Sequence, residues 1–302
     1  MIWLIGSKGM LGTEIARQLE LNNINYVGTD KEVDITNIEN LENFVKSVKN
    51  IRWIINCSAY TAVDKAEEET ELAQLLNETG VKNIALIAKK INSKLIHIST
   101  DYVFDGTSLI PYKETDKISP LGIYGITKAA GEKAVSEVLN EYYIIRTAWL
   151  YGYDGKNFVY TMLKLMNAKN EIKVVNDQFG SPTFTADLAY SILRIILCRG
   201  IDFDLPNPPE YGIYHCTNLG QISWFDFAKE IYKIGKENNL ISSICNIMPC
   251  STEEYPTKTK RPSYSVLNKD KIQKTLDFKL PYWNESLRIF LLSPLFKNEF
   301  LL

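Results

Sequence analysis

Tyr124 and Lys128 stand four residues apart in Tyr-Gly-Ile-Thr-Lys, within a stretch of helical composition that continues as AAGEKAV. On a helix that spacing stacks the two side chains on one face, about 6 Å apart along the axis. An ammonium beside a phenol favours the phenolate, so the expectation is a tyrosine pKa below its usual value and a hydroxyl that releases its proton near neutral pH. Carbonyl reduction needs this chemistry: as hydride adds to carbon, charge grows on oxygen and a positioned acid must meet it. Taken alone, such a pair is more often an amphipathic surface pair, so its meaning depends on what surrounds it.

Two other segments supply surroundings. Gly6-x-x-Gly9-x-x-Gly12 follows the apolar run Ile2 to Ile5 and opens a helix-like stretch. There glycines allow a tight turn, close backbone approach to a pyrophosphate and close packing of helix on strand, while the helix N-terminus favours negative charge. The spacing departs from the usual G-x-G-x-x-G, so the signal leans on its context. A second strand ends at Asp30, where a carboxylate can accept hydrogen bonds from the hydroxyls of an adenosine ribose. The segment STDYVFDG, Ser99 to Gly106, follows the strand Lys94 to Ile98 at the carboxyl edge of the sheet. A hydroxyl from Ser99 or Thr100 there can share a carbonyl oxygen with Tyr124; otherwise the segment only closes a turn.

These residues must be held by a scaffold, and the first half of the chain supplies one by alternation. Strand-like runs at Ile2 to Ile5, Asn25 to Thr29, Trp53 to Asn56, Lys94 to Ser99 and Tyr143 to Arg146 are separated by helix-like stretches at Met10 to Leu21, Ile38 to Val48, Glu71 to Ile91 and Tyr124 to Leu139. That is the pattern of a parallel sheet covered on both faces. Later come strand-like Ile172 to Val175 and Gly212 to Thr217, and helix-like Ala186 to Cys198 and Trp224 to Gly235, in a region richer in proline. The expected fold is α/β, a Rossmann-type doubly wound parallel sheet with a smaller C-terminal α/β substrate-binding part. Residues 1–150 form the dinucleotide-binding part and 151–302 the smaller part, interleaved with it.

Composition narrows the classes. The 302 residues are 45% hydrophobic and 23% charged, and 34 Lys plus Arg against 36 Asp plus Glu leave a net charge of -2. No strong field draws such a chain to nucleic acid or to anionic lipid, and no apolar run reaches the ~20 residues of a membrane span, so a cytoplasmic protein is expected. Five cysteines without a Cys-x-x-Cys pair and two histidines argue for reduced thiols and against a zinc site or disulfide scaffold.

A glycine loop after the first strand, a Ser/Thr after the fourth and Tyr-x-x-x-Lys on a later helix resemble the extended short-chain dehydrogenase/reductase superfamily. Within it, STDYVFDG, Glu114-Thr115-Asp116, SPLGIYGITKAAGEKA, RTAWLYG, NDQFGSPT, YPTKTKRP and AYTAVDKAE are similar to the dTDP-4-dehydrorhamnose reductase family, from Met1 to about Trp283. The resemblance implies NAD(P)H-dependent reduction of the 4-keto group of dTDP-4-dehydrorhamnose to dTDP-L-rhamnose, a step of nucleotide-sugar and polysaccharide biosynthesis. It implies Tyr124, Lys128 and Thr100 as catalytic residues. Cofactor contacts fall on Gly6, Lys8, Gly9, Met10, Leu11, Gly12, Asp30, Asp34, Ile35, Ala59, Tyr60 and Thr61, with Tyr124 and Lys128. Thr100, Asp101, Trp149 and Arg261 fall on substrate-binding positions. NADPH or NADH is the cofactor, a dTDP-sugar the partner, and a homodimer the assembly pointed to. The family also suggests a magnesium ion between subunits. Glu14 matches one ligand, but Ala186 stands where a second carboxylate is expected, with Asp187 beside it, and a hard cation needs several oxygens, so no metal residue is assigned. Two other functions remain open. One is a nucleotide-sugar epimerase or dehydratase, although dehydratases carry Asp-Glu after the threonine where this chain has Asp101 and Tyr102. The other is a non-catalytic regulatory subunit like that of methionine adenosyltransferase, on a reductase-like fold.

Overall fold

The structure is a computed structural model and describes residues 1–200 and 208–296. In chain order the first part contains β1 (Ile2–Ile5), α1 (Met10–Leu21), β2 (Tyr26–Thr29), α2 (Ile38–Ser47), β3 (Trp53–Asn56), α3 (Val63–Ala66), α4 (Thr70–Gln74), a π-helical turn (Leu75–Thr79), α5 (Gly80–Lys90), β4 (Lys94–Thr100), α6 (Ile123–Val138) and β5 (Tyr142–Thr147). Then follow β6 (Leu150–Tyr151), α7 (Phe158–Ala168), β7 (Glu171–Val175), β8 (Phe179–Gly180), β9 (Thr183–Phe184), α8 (Thr185–Arg199), β10 (Gly212–His215), β11 (Ile222–Ser223), α9 (Trp224–Glu237), β12 (Asn246–Cys250), α10 (Asp270–Leu276) and α11 (Trp283–Leu292).

Six strands form one sheet in the order β2-β1-β3-β4-β5-β10, and every pairing in it is parallel. Every residue of β1 and of β3 is buried, and this two-sided burial is why they read as unbroken apolar runs. Along β1 the side chains alternate: Ile2 and Leu4 join the core beneath α1, α8 and α10, whereas Trp3 and Ile5 join the core beneath α2, α5 and α6. The chain steps from β1 outward to β2 and returns to β3 on the other side, so the order reverses between β1 and β3. A crevice therefore opens beyond their carboxyl ends.

A second core is built from α7, α9, α11 and β7, with Phe184 and a string of aromatic contacts around Tyr151, Phe227 and Phe290. Here β7 pairs in parallel with β12. The helix α8 and the strand β10 return to the large sheet. The seven elements read as strands and the long helices recur in the structure, the stretch from Glu71 to Ile91 being α4, the π turn and α5 in succession. The helices α7, α10 and α11 and the strand β12 are additions that the sequence reading did not contain. No helix among the described residues is long and apolar enough to cross a membrane. All five cysteines are free thiols; Cys216, Cys245 and Cys250 are buried, and Cys57 and Cys198 are partly so.

Candidate active site

The crevice beyond β1 and β3 is a cleft of about 720 Å³. Gly6, Gly9, Met10, Leu11, Asp30, Asp34, Ile35, Ala59 and Thr61 line one part of it, and Thr100, Asp101, Tyr124, Lys128 and Trp149 line another. The glycine loop has this shape for steric reasons. Gly6 has φ +75, and a Cβ on it would sit 2.8 Å from the Ser58 amide nitrogen, so only glycine lets the β1 and β3 loops touch. A Cβ on Gly12 would sit 2.0 Å from the Gly6 carbonyl oxygen, so Gly12 brings α1 against the loop from behind the cleft wall. Lys8 also lies off the lining: its backbone N–H donates to Asp30 Oδ2 at 3.2 Å, while its ammonium pairs with Glu32 at 3.4 Å. Asp30 Oδ1 accepts from the Lys31 N–H at 2.9 Å, so backbone amides hold this carboxylate at the rim. Tyr60 is packed behind the cleft, its hydroxyl donating to Glu69 at 2.6 Å.

Tyr124 is the second residue of α6. That helix starts where it does because Glu67 Oε1 accepts from the Ile123 N–H at 2.9 Å, an acidic group on an orphan donor at a helix N-terminus. The Tyr124 hydroxyl shares a hydrogen bond with Thr100. Thr100 Oγ1 in turn donates to Asp101 Oδ1 at 3.0 Å and accepts from the Tyr102 N–H at 3.2 Å. Tyr102 packs edge-on to Tyr124 at 5.4 Å. One sequence expectation is overturned here: the Tyr124 phenol is pushed above its ordinary value, because burial penalises the phenolate and the nearby Asp101 repels it, and the hydrogen bond with Thr100 opposes this only in part. The Lys128 ammonium is directed elsewhere, donating to the Ile98 carbonyl at 2.6 Å, and burial pushes its own pKa down to about 8. Tyr124 is thus a fully protonated donor at neutral pH, as a general acid must be. Asp101, 2% exposed, is raised to about 6 by burial, which outweighs the side-chain hydrogen bonds it takes from Ser265 and Thr100.

Trp149 adopts the left-handed backbone conformation, φ 49, and its indole stacks on Trp224 with ring centroids 3.5 Å apart. Gly180 makes room for it, since a Cβ there would lie 2.5 Å from the indole. Arg261 is not on the lining; its Nη2 donates to Asp64 at 2.9 Å and its side chain reaches the Tyr102 hydroxyl from behind. Sequence reasoning missed Cys57 and Ser58 on the cleft wall, and beneath it a buried chain of polar groups: Asn56, His97, Glu132 and Arg146. The available signal was polarity inside apolar strands, where an Asn, a His or an Arg needs a partner.

The suggested magnesium ligands do not fit a metal. Glu14 is ion-paired with Arg17 and accepts from Gln18 at 3.0 Å. Asp187 Oδ2 accepts from Asn218 and from Ser286, each at 2.6 Å. Glu14 and the Asp187 Oδ2 already accept from this chain's own donors, and no metal-holding cluster of acidic, Cys or His side chains occurs among the described residues.

The family model described as RmlD substrate binding domain matches residues 1–293. The dTDP-4-dehydrorhamnose reductase of Escherichia coli is 38% identical over 289 residues, 93% of this chain and 94% of that protein. Among solved structures, a dTDP-4-dehydrorhamnose reductase from Clostridium acetobutylicum superposes with a TM-score of 0.88 at 42% identity, covering 96% of this chain and 98% of that one. Another from Bacillus anthracis, in complex with NADP, superposes with a TM-score of 0.86 at 39% identity, again over 96% and 98%.

Proposed function

This chain belongs to the RmlD substrate-binding-domain family, and from that membership and the geometry of its cleft we propose that it catalyses NAD(P)H-dependent reduction of the 4-keto group of dTDP-4-dehydrorhamnose to dTDP-L-rhamnose. The observation that carries the reading is that one cleft holds the glycine loop, Asp30, Thr100, Tyr124 and Lys128. A bound nicotinamide cofactor supplies the hydride. The residues of this chain do the rest. The N-terminus of α1 and the bare backbone at Gly6 and Gly9 receive the pyrophosphate, and Asp30 faces the adenosine ribose. Tyr124 gives its proton to the oxygen as charge develops there, and Thr100, bonded to Tyr124, holds the same oxygen in place. Asp101 and Trp149 contact the sugar nucleotide at the other end of the cleft, and Arg261 supports them through Tyr102.

The residues after Thr100 favour reduction over dehydration, because Asp101 is followed by Tyr102 and no glutamate stands there to act as the second acid-base group. The test is loss of NAD(P)H absorbance with purified protein and a panel of 4-keto-6-deoxy nucleotide sugars, the product being identified by NMR. Turnover confined to the dTDP-linked 4-keto sugar, with a 4-hydroxyl product, is expected. No turnover of any sugar, with a change in a second protein's activity on mixing, would leave the regulatory-subunit reading in its place.

A further inference from the structure

His97 lies on β4 beneath the cleft, wholly buried, between Asn56 of β3 and Lys128 of α6. Its two ring nitrogens meet different neighbours: Nδ1 is 3.1 Å from Asn56 Nδ2, and Nε2 is 3.4 Å from Lys128 Nζ. The Asn56 amide is not free to turn. Its Oδ1 accepts from the Ser58 N–H at 3.0 Å and from the Ser58 hydroxyl at 2.6 Å, and an NH₂ group cannot meet a backbone donor. The NH₂ therefore faces His97 as a donor, and Nδ1 is the acceptor. A neutral imidazole that accepts at Nδ1 carries its hydrogen on Nε2. That hydrogen points at Lys128.

We infer that His97, locked by Asn56 as the Nε2–H tautomer, is a positioning residue that disfavours the ammonium form of Lys128 and accommodates its amine form. The inference rests on Lys128 acting beside Tyr124 in the proposed reduction. An ammonium has donors only and meets Nε2–H as a repulsive dipole; an amine has a lone pair that accepts from Nε2–H while its own N–H still serves the Ile98 carbonyl. The other groups facing Lys128 are Cys57, just past β3, and Glu132, one turn further along α6. Glu132 would favour the ammonium, but its oxygens are occupied by Arg146 and Ser99. Burial works in the same direction as His97: Lys128 is pushed down to about 8, and His97 is held well below the usual imidazole range.

The chain has two histidines, so ¹⁵N-histidine labelling of the intact, ligand-free protein gives two resolvable rings. Long-range ¹H–¹⁵N correlation between about pH 5.5 and about pH 9 reads the tautomer directly. The expected result is a neutral Nε2–H ring for His97 throughout; an Nδ1–H ring, or titration to imidazolium in that range, overturns the inference. The second measurement is the pH profile of kcat/KM in His97→Gln, whose amide oxygen can accept from the ammonium. The limb belonging to Lys128 should move up by about one pH unit, the scale of one hydrogen bond to a charged form, with little change in the plateau. An unmoved limb overturns it. Absence of turnover by the unaltered protein would instead count against the proposed reaction, and the NMR result would stand on its own.

Discussion

Replacing Glu132 by Gln tests whether the buried pair beneath the cleft is what holds β5 to α6. Both carboxylate oxygens are in use: Oε1 accepts from Arg146 Nε at 2.9 Å and from the Ser99 hydroxyl at 2.5 Å, and Oε2 accepts from Arg146 Nη2 at 2.6 Å. Both side chains are sealed from solvent, with exposures of 5% for Glu132 and 2% for Arg146. Three hydrogen bonds to a charged group, at roughly 1.5–3 kcal/mol each, set an upper range of roughly 4.5–9 kcal/mol. The amide oxygen keeps part of this, so the net loss is set by the stranded guanidinium, about 3–5 kcal/mol. His215 gives Arg146 one long neutral acceptor in place of a carboxylate: its Nδ1 donates to the Tyr112 carbonyl at 3.1 Å, so its Nε2 lone pair faces Nη1 at 3.4 Å. Urea unfolding followed by tryptophan fluorescence should show a lower midpoint at constant slope. Glu132→Leu combined with Arg146→Met should lose less than the sum of the two single changes by about 2–3 kcal/mol, because no charge is then left alone. A loss below about 1 kcal/mol in Glu132→Gln, or additive losses in the double variant, would refute the reasoning.

Tyr124→Phe keeps the ring and its contact with Tyr102 and removes the proton, so kcat should fall by a factor of about 10²–10⁴ while cofactor affinity, measured by fluorescence titration, changes little; wild-type turnover would reject the assignment. Both cofactors should support turnover with NADH favoured, because Asp30 accepts from the ribose hydroxyl of NADH and repels the 2′-phosphate of NADPH; Asp30→Ala should raise kcat/KM for NADPH relative to NADH, and an unchanged ratio means that Asp30 does not face the ribose. Gly12→Ala puts a methyl group where the Gly6 carbonyl oxygen already lies, so cofactor Kd should rise at least about tenfold, read by calorimetry, and an unchanged Kd would show that α1 yields freely.

Local pattern made the sheet legible. Strands β1, β3, β4 and β5 are short apolar runs because helices cover both faces, and the residues at or just past their carboxyl ends, Gly6, Cys57, Thr100 and Thr147, line the cleft. The same logic located Asp30 and Tyr124. What failed was electrostatics: four-residue spacing brings Lys128 and Tyr124 to one face, but which partner the ammonium takes depends on β4, where the Ile98 carbonyl captures it. Arg261 could not be placed from its neighbours in sequence either. Its partner Asp64 is remote along the chain, and such pairings carry no periodic trace. The helix α7 escaped notice because it sits in an aromatic core with few polar positions to mark a helical period.

The path of the chain across the large sheet has a consequence for its synthesis. Ile2, Leu4, Ile96 and Ile145 are sealed by Leu188, Ile192 and Ile196 of α8 and by Ile272, Leu276 and Leu280 in and just after α10. A ribosome-bound chain that has already released all of β1 to β5 thus has one face of the sheet covered by α1 alone until α8 and α10 have emerged. The nascent protein is exposed to aggregation while the segment between β5 and α10 is being made, and the sheet face becomes a binding site for holding chaperones during that interval. Nicking or early termination anywhere before Leu280 leaves not a smaller working half but an open sheet whose apolar stripe marks it for proteolysis.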